Sequence, residues 1–166
     1  MTDIFLGLGS NVDREQSIQH AVNELERHFG RLKISPTFES EAIGFNGDNF
    51  YNLVVQANTD LLLPEVMQIY RDIEDQCGRD RTGPKFGPRT LDIDLLVFGE
   101  LVCHSPLELP RDEILENAFV LWPLSLLAPD KLHPITRTSY AQLWQEYDNQ
   151  QKLWQISTPW DAQATP

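Results

Sequence analysis

Between Ile4 and Phe98 the apolar pattern passes twice from strand-type runs to helical spacing and back. That order limits the folds open to the chain. Ile4–Leu8 is a short apolar run that predicts a buried first strand, with Gly7 and Gly9 at its end permitting close approach of another group. Ser10 and Asn11 are expected to cap a helix bearing Ile18, Val22, Leu25 and Phe29 and stopped by Gly30. Leu32–Glu39 predicts a second strand, Glu41–Asn49 a Gly/Asn/Asp-rich loop, and Phe50–Thr59 a third strand. Leu63–Cys77 predicts a second helix, with Pro64 near its start, Val66, Ile69, Tyr70 and Ile73 on one side, and Gly78 at its end. The run PRTLDIDLLVFG, from Pro88 to Gly99, predicts the fourth strand.

The resulting order, strand–helix–strand–strand–helix–strand, is the split βαβ arrangement. The expected class is α+β: a ferredoxin-like βαββαβ core, a mostly antiparallel sheet with helices packed on one face, and a C-terminal extension. A further short helix is expected over Asn117–Leu127. No linker or internal repeat divides the chain, so residues 1–160 read as a single domain. The last residues, Thr158–Pro166 and especially 161–166, read as a loosely ordered tail.

With 166 residues and 41% hydrophobic content, one core of useful size can form. No segment has the makings of a secretory leader, and no apolar run nears the roughly 20 residues that span a bilayer. Cys77 and Cys103 lack CxxC partners, which argues against a disulfide framework or a cysteine metal site and for a reducing, cytoplasmic setting. A net charge of −12 argues against general nucleic-acid binding. The local exception is RDRTGPKFGPR, where Arg79, Arg81, Lys85 and Arg89 face only Asp80. Such a basic loop on an acidic chain suits a small polyanion.

Beside that loop stand Asp92 and Asp94. Two residues apart in a strand, they project to one face, with Leu91, Ile93 and Leu95 on the other. Taken alone the pair has two readings: aspartates that face solvent or of which one pairs with Arg89, or ligands for magnesium, which takes one or two carboxylates and completes its octahedron with water and phosphate oxygens. Carboxylates for metal next to cations for phosphate is the division of labour in phosphoryl transfer. No GxxxxGK[ST] loop occurs, which excludes a Walker-type site.

The segment RDRTGPKFGPRTLDIDLLVFG resembles the RxR…RWGPRTLDLDxxxFG signature of the 6-hydroxymethyl-7,8-dihydropterin pyrophosphokinases. The likeness extends to LGLGSN at 6–11, GDNFYNLVV at 47–55 and AFVLWPLSLLAPDKLHP at 118–134. It implies an enzyme of folate synthesis that moves the β,γ-pyrophosphoryl group of ATP to the hydroxymethyl of a reduced pterin, on a ferredoxin-like fold. By that resemblance Asp92 and Asp94 are ligands of two magnesium ions. Arg79, Arg81, Lys85 and Arg89 lie on the phosphate side, Arg79 and Arg89 together with the aspartates forming the catalytic set, and Glu74 lies near the nucleotide. Phe86 and Phe119 correspond to aromatics on the two sides of the pterin, and Asn52 to an asparagine that bonds its edge. Phe50 stands where tyrosine is common, and Ser40, Glu41, Ala42 and Ile43 where TPPL is common. The implied partners are ATP and a reduced pterin, with no nucleic acid and no membrane; a monomer is favoured, the oligomeric state itself left open.

The chain departs from the pattern in three places. A proline–histidine pair is replaced so that Arg111 stands where a histidine contacts ATP phosphates. Asn117 replaces an arginine, and SEAI replaces TPPL. Arg111 is expected to supply the charge missing at Asn117. The departures leave two other readings open: a paralogue acting on a modified pterin, and a non-catalytic pterin- or nucleotide-binding module of the same fold.

Overall fold

The computed structural model describes residues 1–41, 48–78 and 91–163. Their order is β1 (Thr2–Ser10), α1 (Arg14–Phe29), β2 (Lys33–Ile34), β3 (Thr37–Ser40), β4 (Phe50–Thr59), α2 (Leu63–Gln76), β5 (Asp92–Phe98), α3 (Glu113–Glu116), α4 (Ala118–Leu127), α5 (Tyr140–Glu146), β6 (Leu153–Ile156) and a 3-10 turn over Pro159–Gln163. The main sheet runs β5-β1-β4-β3-β6, with β2 also paired to β4. Each of these pairings is antiparallel. β4 inserts between β1 and the β2/β3 segment, so both crossover helices return over the sheet, as the split βαβ pattern requires.

Alternation along the strands divides the core in two. Ile4, Leu6, Leu8, Leu53, Val55, Ile93 and Leu95 pack with Ile18, Val22 and Leu25 of α1 and Val66, Tyr70 and Ile73 of α2. Phe5, Val54, Leu96 and Val97 pack on the other face with Ile114, Val120, Leu121, Leu124 and Tyr140. Helices therefore cover both faces, not one as the sequence pattern suggested. The second layer escaped the pattern because α4, AFVLWPLSLL, is apolar nearly all round and shows no stripe that would say what it covers.

Three local differences stand out. α1 starts after Asp13, in the left-handed region at φ 49°, and not at Ser10 or Asn11. The Ser10 hydroxyl donates to the Val12 carbonyl at 3.0 Å instead. The second strand is broken at Ser35–Pro36, where the Ser35 hydroxyl accepts the Val54 N–H at 2.9 Å and proline has no N–H to offer a ladder. The C-terminus is not loose up to Gln163: Trp160 is fully buried and its Nε1 donates to Thr37 Oγ1 at 2.8 Å. Gln163 further bonds Gln19 at 2.6 Å. Cys77 and Cys103 are free thiols. Among the described residues no helix is long and apolar enough to cross a membrane.

Candidate active site

β5 lies at one end of the strand order, so among the described residues one of its edges has no strand neighbour. Two groups cover that edge. Glu74, buried on α2, accepts the Ile93 N–H through Oε2 at 2.8 Å, and the Arg111 N–H donates to the Leu96 carbonyl at 3.0 Å. These bonds fix the strand on either side of Asp94. Asp92 pairs with Gly9 of β1 and Asp94 with Gly7. Both aspartates thus share the face that carries Leu96, while Ile93 and Leu95 enter the α1/α2 core, as the spacing predicted.

Gly9 pairs on its other side with Asn52, and Asn52 with Phe38. Directly paired residues share a face, so Asp92, Gly9, Asn52 and Phe38 form a row across it. Asn52 is buried, and its Nδ2 donates to Ser40 Oγ at 2.9 Å. Phe50 pairs with Ser40 and is half-buried on the same face. α4 packs over this side of β4 and β3, and half-buried Phe119 borders its cluster. The sequence-predicted residues Asp92, Asp94, Asn52, Ser40 and Phe50 therefore share one face, with Phe119 on the helix above it. Glu74 belongs to the opposite face and reaches the β5 backbone with its side-chain carboxylate. Arg79, Arg81, Lys85, Phe86, Arg89, Ala42 and Ile43 lie outside the described residues.

Asp94 is 27% exposed at its side chain and its Oδ1 lies 3.6 Å from Arg111 Nη2. Burial, and next the charge of Asp92, push its carboxyl up to about 7, although Arg111 pulls the other way. Arg111 also reaches Glu113 Oε1 at 3.4 Å. Burial works against its guanidinium, but Asp94 and Glu113 outweigh that and raise its pKa. Glu113 was not singled out from the sequence; an acid two residues from Arg111 was the only available sign.

The loop between β3 and β4 is anchored where its described end begins. Buried Asn11 donates through Nδ2 to the Asp48 carbonyl at 3.3 Å. Arg14 Nη1 donates to the Asn49 carbonyl at 2.9 Å while its guanidinium lies 4.1 Å over the Tyr51 ring. Asn11, expected as a helix cap, thus serves the loop instead. A shallow cavity of about 490 Å³ lies elsewhere, between Met1–Asp3, Phe98–Leu101 and Lys131. Its Lys131 is paired with Asp3 at 2.7 Å.

A sequence model of the 7,8-dihydro-6-hydroxymethylpterin-pyrophosphokinase family matches residues 5–129. The chain belongs to that family. Within it, the chain is 39% identical over 140 residues to the 2-amino-4-hydroxy-6-hydroxymethyldihydropteridine pyrophosphokinase of Aquifex aeolicus, covering 82% of this chain and 87% of that one. It is 36% identical to the Pseudomonas aeruginosa protein of the same name, covering 76% and 81%. The folic acid synthesis protein FOL1 of Dictyostelium discoideum is 30% identical; 98% of this chain matches a quarter of that longer protein. Among solved structures, Plasmodium falciparum HPPK-DHPS, wild type with pteroate, superposes with a TM-score of 0.68 at 16% identity, over 89% of this chain and 42% of that one. At that identity the superposition speaks for the pyrophosphokinase fold, and the sequence matches speak for the family.

Proposed function

We propose that the chain carries out the pyrophosphokinase reaction: it transfers the pyrophosphoryl group of ATP to the hydroxymethyl of 6-hydroxymethyl-7,8-dihydropterin, giving the pterin diphosphate and AMP in folate synthesis. The row Asp92–Gly9–Asn52 carries this reading. It sets a carboxylate pair at one end and a buried amide at the other, across a floor with no side chain. At ordinary strand spacing its ends are about 10 Å apart. That span suits a flat pterin at Asn52 whose hydroxymethyl meets a phosphate chain near Asp92.

The donor set fits magnesium. Burial and the neighbouring charge of Asp92 push Asp94 up to about 7 even with Arg111 beside it, so a further cation at the pair would offset that cost. Magnesium takes one or two carboxylates and draws its other ligands from water and phosphate. Asp92 and Asp94 would hold it, two ions by the family pattern; when bound, magnesium neutralises phosphate oxygens and orients them for in-line displacement.

The remaining work falls to the chain's own side chains. Arg111 holds a phosphate oxygen, with Arg79, Arg81, Lys85 and Arg89 on the same cationic side. Glu74 keeps the edge of β5 fixed through its bond to Ile93 near the nucleotide. Asn52, held by Ser40, bonds the pterin edge; Phe50, Ala42 and Ile43 border it, and Phe86 and Phe119 stack on the ring. The hydroxymethyl oxygen attacks the β-phosphorus and gives up its proton to solvent, the bond from that phosphorus to the α–β bridging oxygen breaks, and AMP leaves with the bridging oxygen. Residues 1–160 act as one domain, a reading supported by Trp160, which packs into the same core as β1 and α1. We favour a monomer acting in the cytoplasm.

A paralogue for a modified pterin is the reading that SEAI at the pterin edge and Arg111 would favour. Mass analysis of products decides between the two. Incubation with ATP, magnesium and 6-hydroxymethyl-7,8-dihydropterin should yield the pterin diphosphate and AMP. Conversion of side-chain-modified pterins in preference to the hydroxymethyl compound would favour the paralogue.

A further inference from the structure

The C-terminal segment lies beyond residues 5–129, the part the family model matches, yet it reaches back to the helix that carries Phe119. Asn117, just before α4, makes no side-chain cap of its own. The Ala118 N–H instead donates to Gln151 Oε1 at 2.7 Å. Gln151 Nε2 donates to Asn117 Oδ1 at 3.4 Å, so one amide holds both sides of the junction. The Tyr147 hydroxyl donates to the Glu116 carbonyl at 2.6 Å.

An aromatic row backs these bonds. Tyr147 stacks on Trp144 with ring centroids 5.6 Å apart, and Trp144 on Trp122 of α4 at 5.1 Å. Trp122 packs against Phe38 of β3 at 4.4 Å. The segment after α5 is therefore fastened through α4 to the sheet face that carries Asn52.

The first N–H groups of a helix have no partner within it and need an outside acceptor. Phe119 is the second residue of α4 and only half-buried, so packing alone does not set its direction. We infer that Gln151 and Tyr147 are positioning residues for the pterin: by fixing the α3–α4 junction they aim Phe119 at the ring. The inference rests on the reading of Phe119 as a stacking residue.

The test compares wild type, Gln151→Ala, Gln151→Glu and Tyr147→Phe by steady-state kinetics and by hydrogen exchange at the Ala118 amide. Gln151→Ala should expose that amide and raise KM for the pterin about tenfold, leaving kcat and KM for ATP within about twofold. Gln151→Glu keeps an acceptor for Ala118 and adds a charge suited to a helix N-terminus, so it should restore most of the pterin KM. Tyr147→Phe should raise it less, about threefold. An active wild type in which Gln151→Ala frees the amide but leaves pterin KM unchanged would overturn the inference alone. Equal losses in Gln151→Ala and Gln151→Glu would also overturn it. A wild type that does not turn over the pterin would remove the proposed function and this inference with it.

Discussion

Gly9 faces Asn52 across the β1–β4 ladder, and the space its missing Cβ leaves is bordered by the Asn52 amide: a Cβ on Gly9 would stand 3.2 Å from Asn52 Oδ1. Asn52 is buried and tied to Ser40, so it can yield only by giving up that bond. Gly9→Ala is therefore expected to turn the amide and raise KM for the pterin about tenfold, with KM for ATP nearly unchanged. At Gly7 the same Cβ would meet Leu96 at 3.6 Å, an ordinary contact. Gly7→Ala should leave pterin binding close to wild type. Identical kinetics for the two variants would contradict the role given to Asn52.

Asp92→Ala and Asp94→Ala should each lower turnover by about a hundredfold or more, as expected when a preorganised charge at the reacting group is lost. The fold should survive, because neither aspartate belongs to the apolar core. Circular dichroism and activity at limiting magnesium check this together. Near wild-type activity in a folded variant would remove the metal role.

Arg111 faces Asp94 and Glu113, while the Asn117 amide is engaged with Gln151. The phosphate-side cation is therefore expected to come from Arg111. Losing a charge-assisted contact costs about 1.5–3 kcal/mol, one to two decades. Arg111→Ala should raise KM for ATP or lower kcat by that much. Arg111→Lys should recover part of it, since the charge returns without the planar fork. An unchanged ATP dependence in Arg111→Ala would show a purely structural pair with Asp94.

How much of this was legible in the sequence depended on the range of the interaction. Phe50–Thr59 forms a strand over the expected residues because a buried β-strand needs only local signals. Asp92 and Asp94 were placed on one face by strand period alone. The break at Ser35–Pro36 was missed because a hydroxyl takes over a ladder position from Val54. Trp160 was missed because its burial depends on Thr37, far back in the chain. Gln151 had no sequence signature, since α4 and α5 lie between it and its partners. Local periodicity carried the frame, and contacts between distant segments carried the supports of the site.

His133 supplies a pH dependence. It is buried, and its Nδ1 accepts the N–H groups of Ile135 and Thr136, each at 3.2 Å. Burial lowers its pKa below the ordinary 6.5. The unfolded chain then binds the proton more readily, so this contribution to stability is complete above about pH 6.5 and is lost as pH falls toward the lowered folded value. The stability difference between wild type and His133→Asn, from urea denaturation, should narrow between pH 7.5 and pH 5. A constant difference would show that His133 does not titrate in this way.

The Tyr140 hydroxyl is buried with no hydrogen-bond partner among the described residues. Tyr140→Phe removes an unsatisfied group and keeps the packing against Phe5 and His133. It should stabilise the protein by about 1 kcal/mol and leave the kinetics alone. A fall in urea midpoint would mean that the hydroxyl has a partner, such as an ordered water.

The most direct measurement is the release of AMP from ATP and magnesium, with and without 6-hydroxymethyl-7,8-dihydropterin. AMP should form in step with pterin diphosphate, with almost none released without the pterin and no ADP. ADP as the product, or AMP release indifferent to the pterin, would contradict the pyrophosphokinase reading.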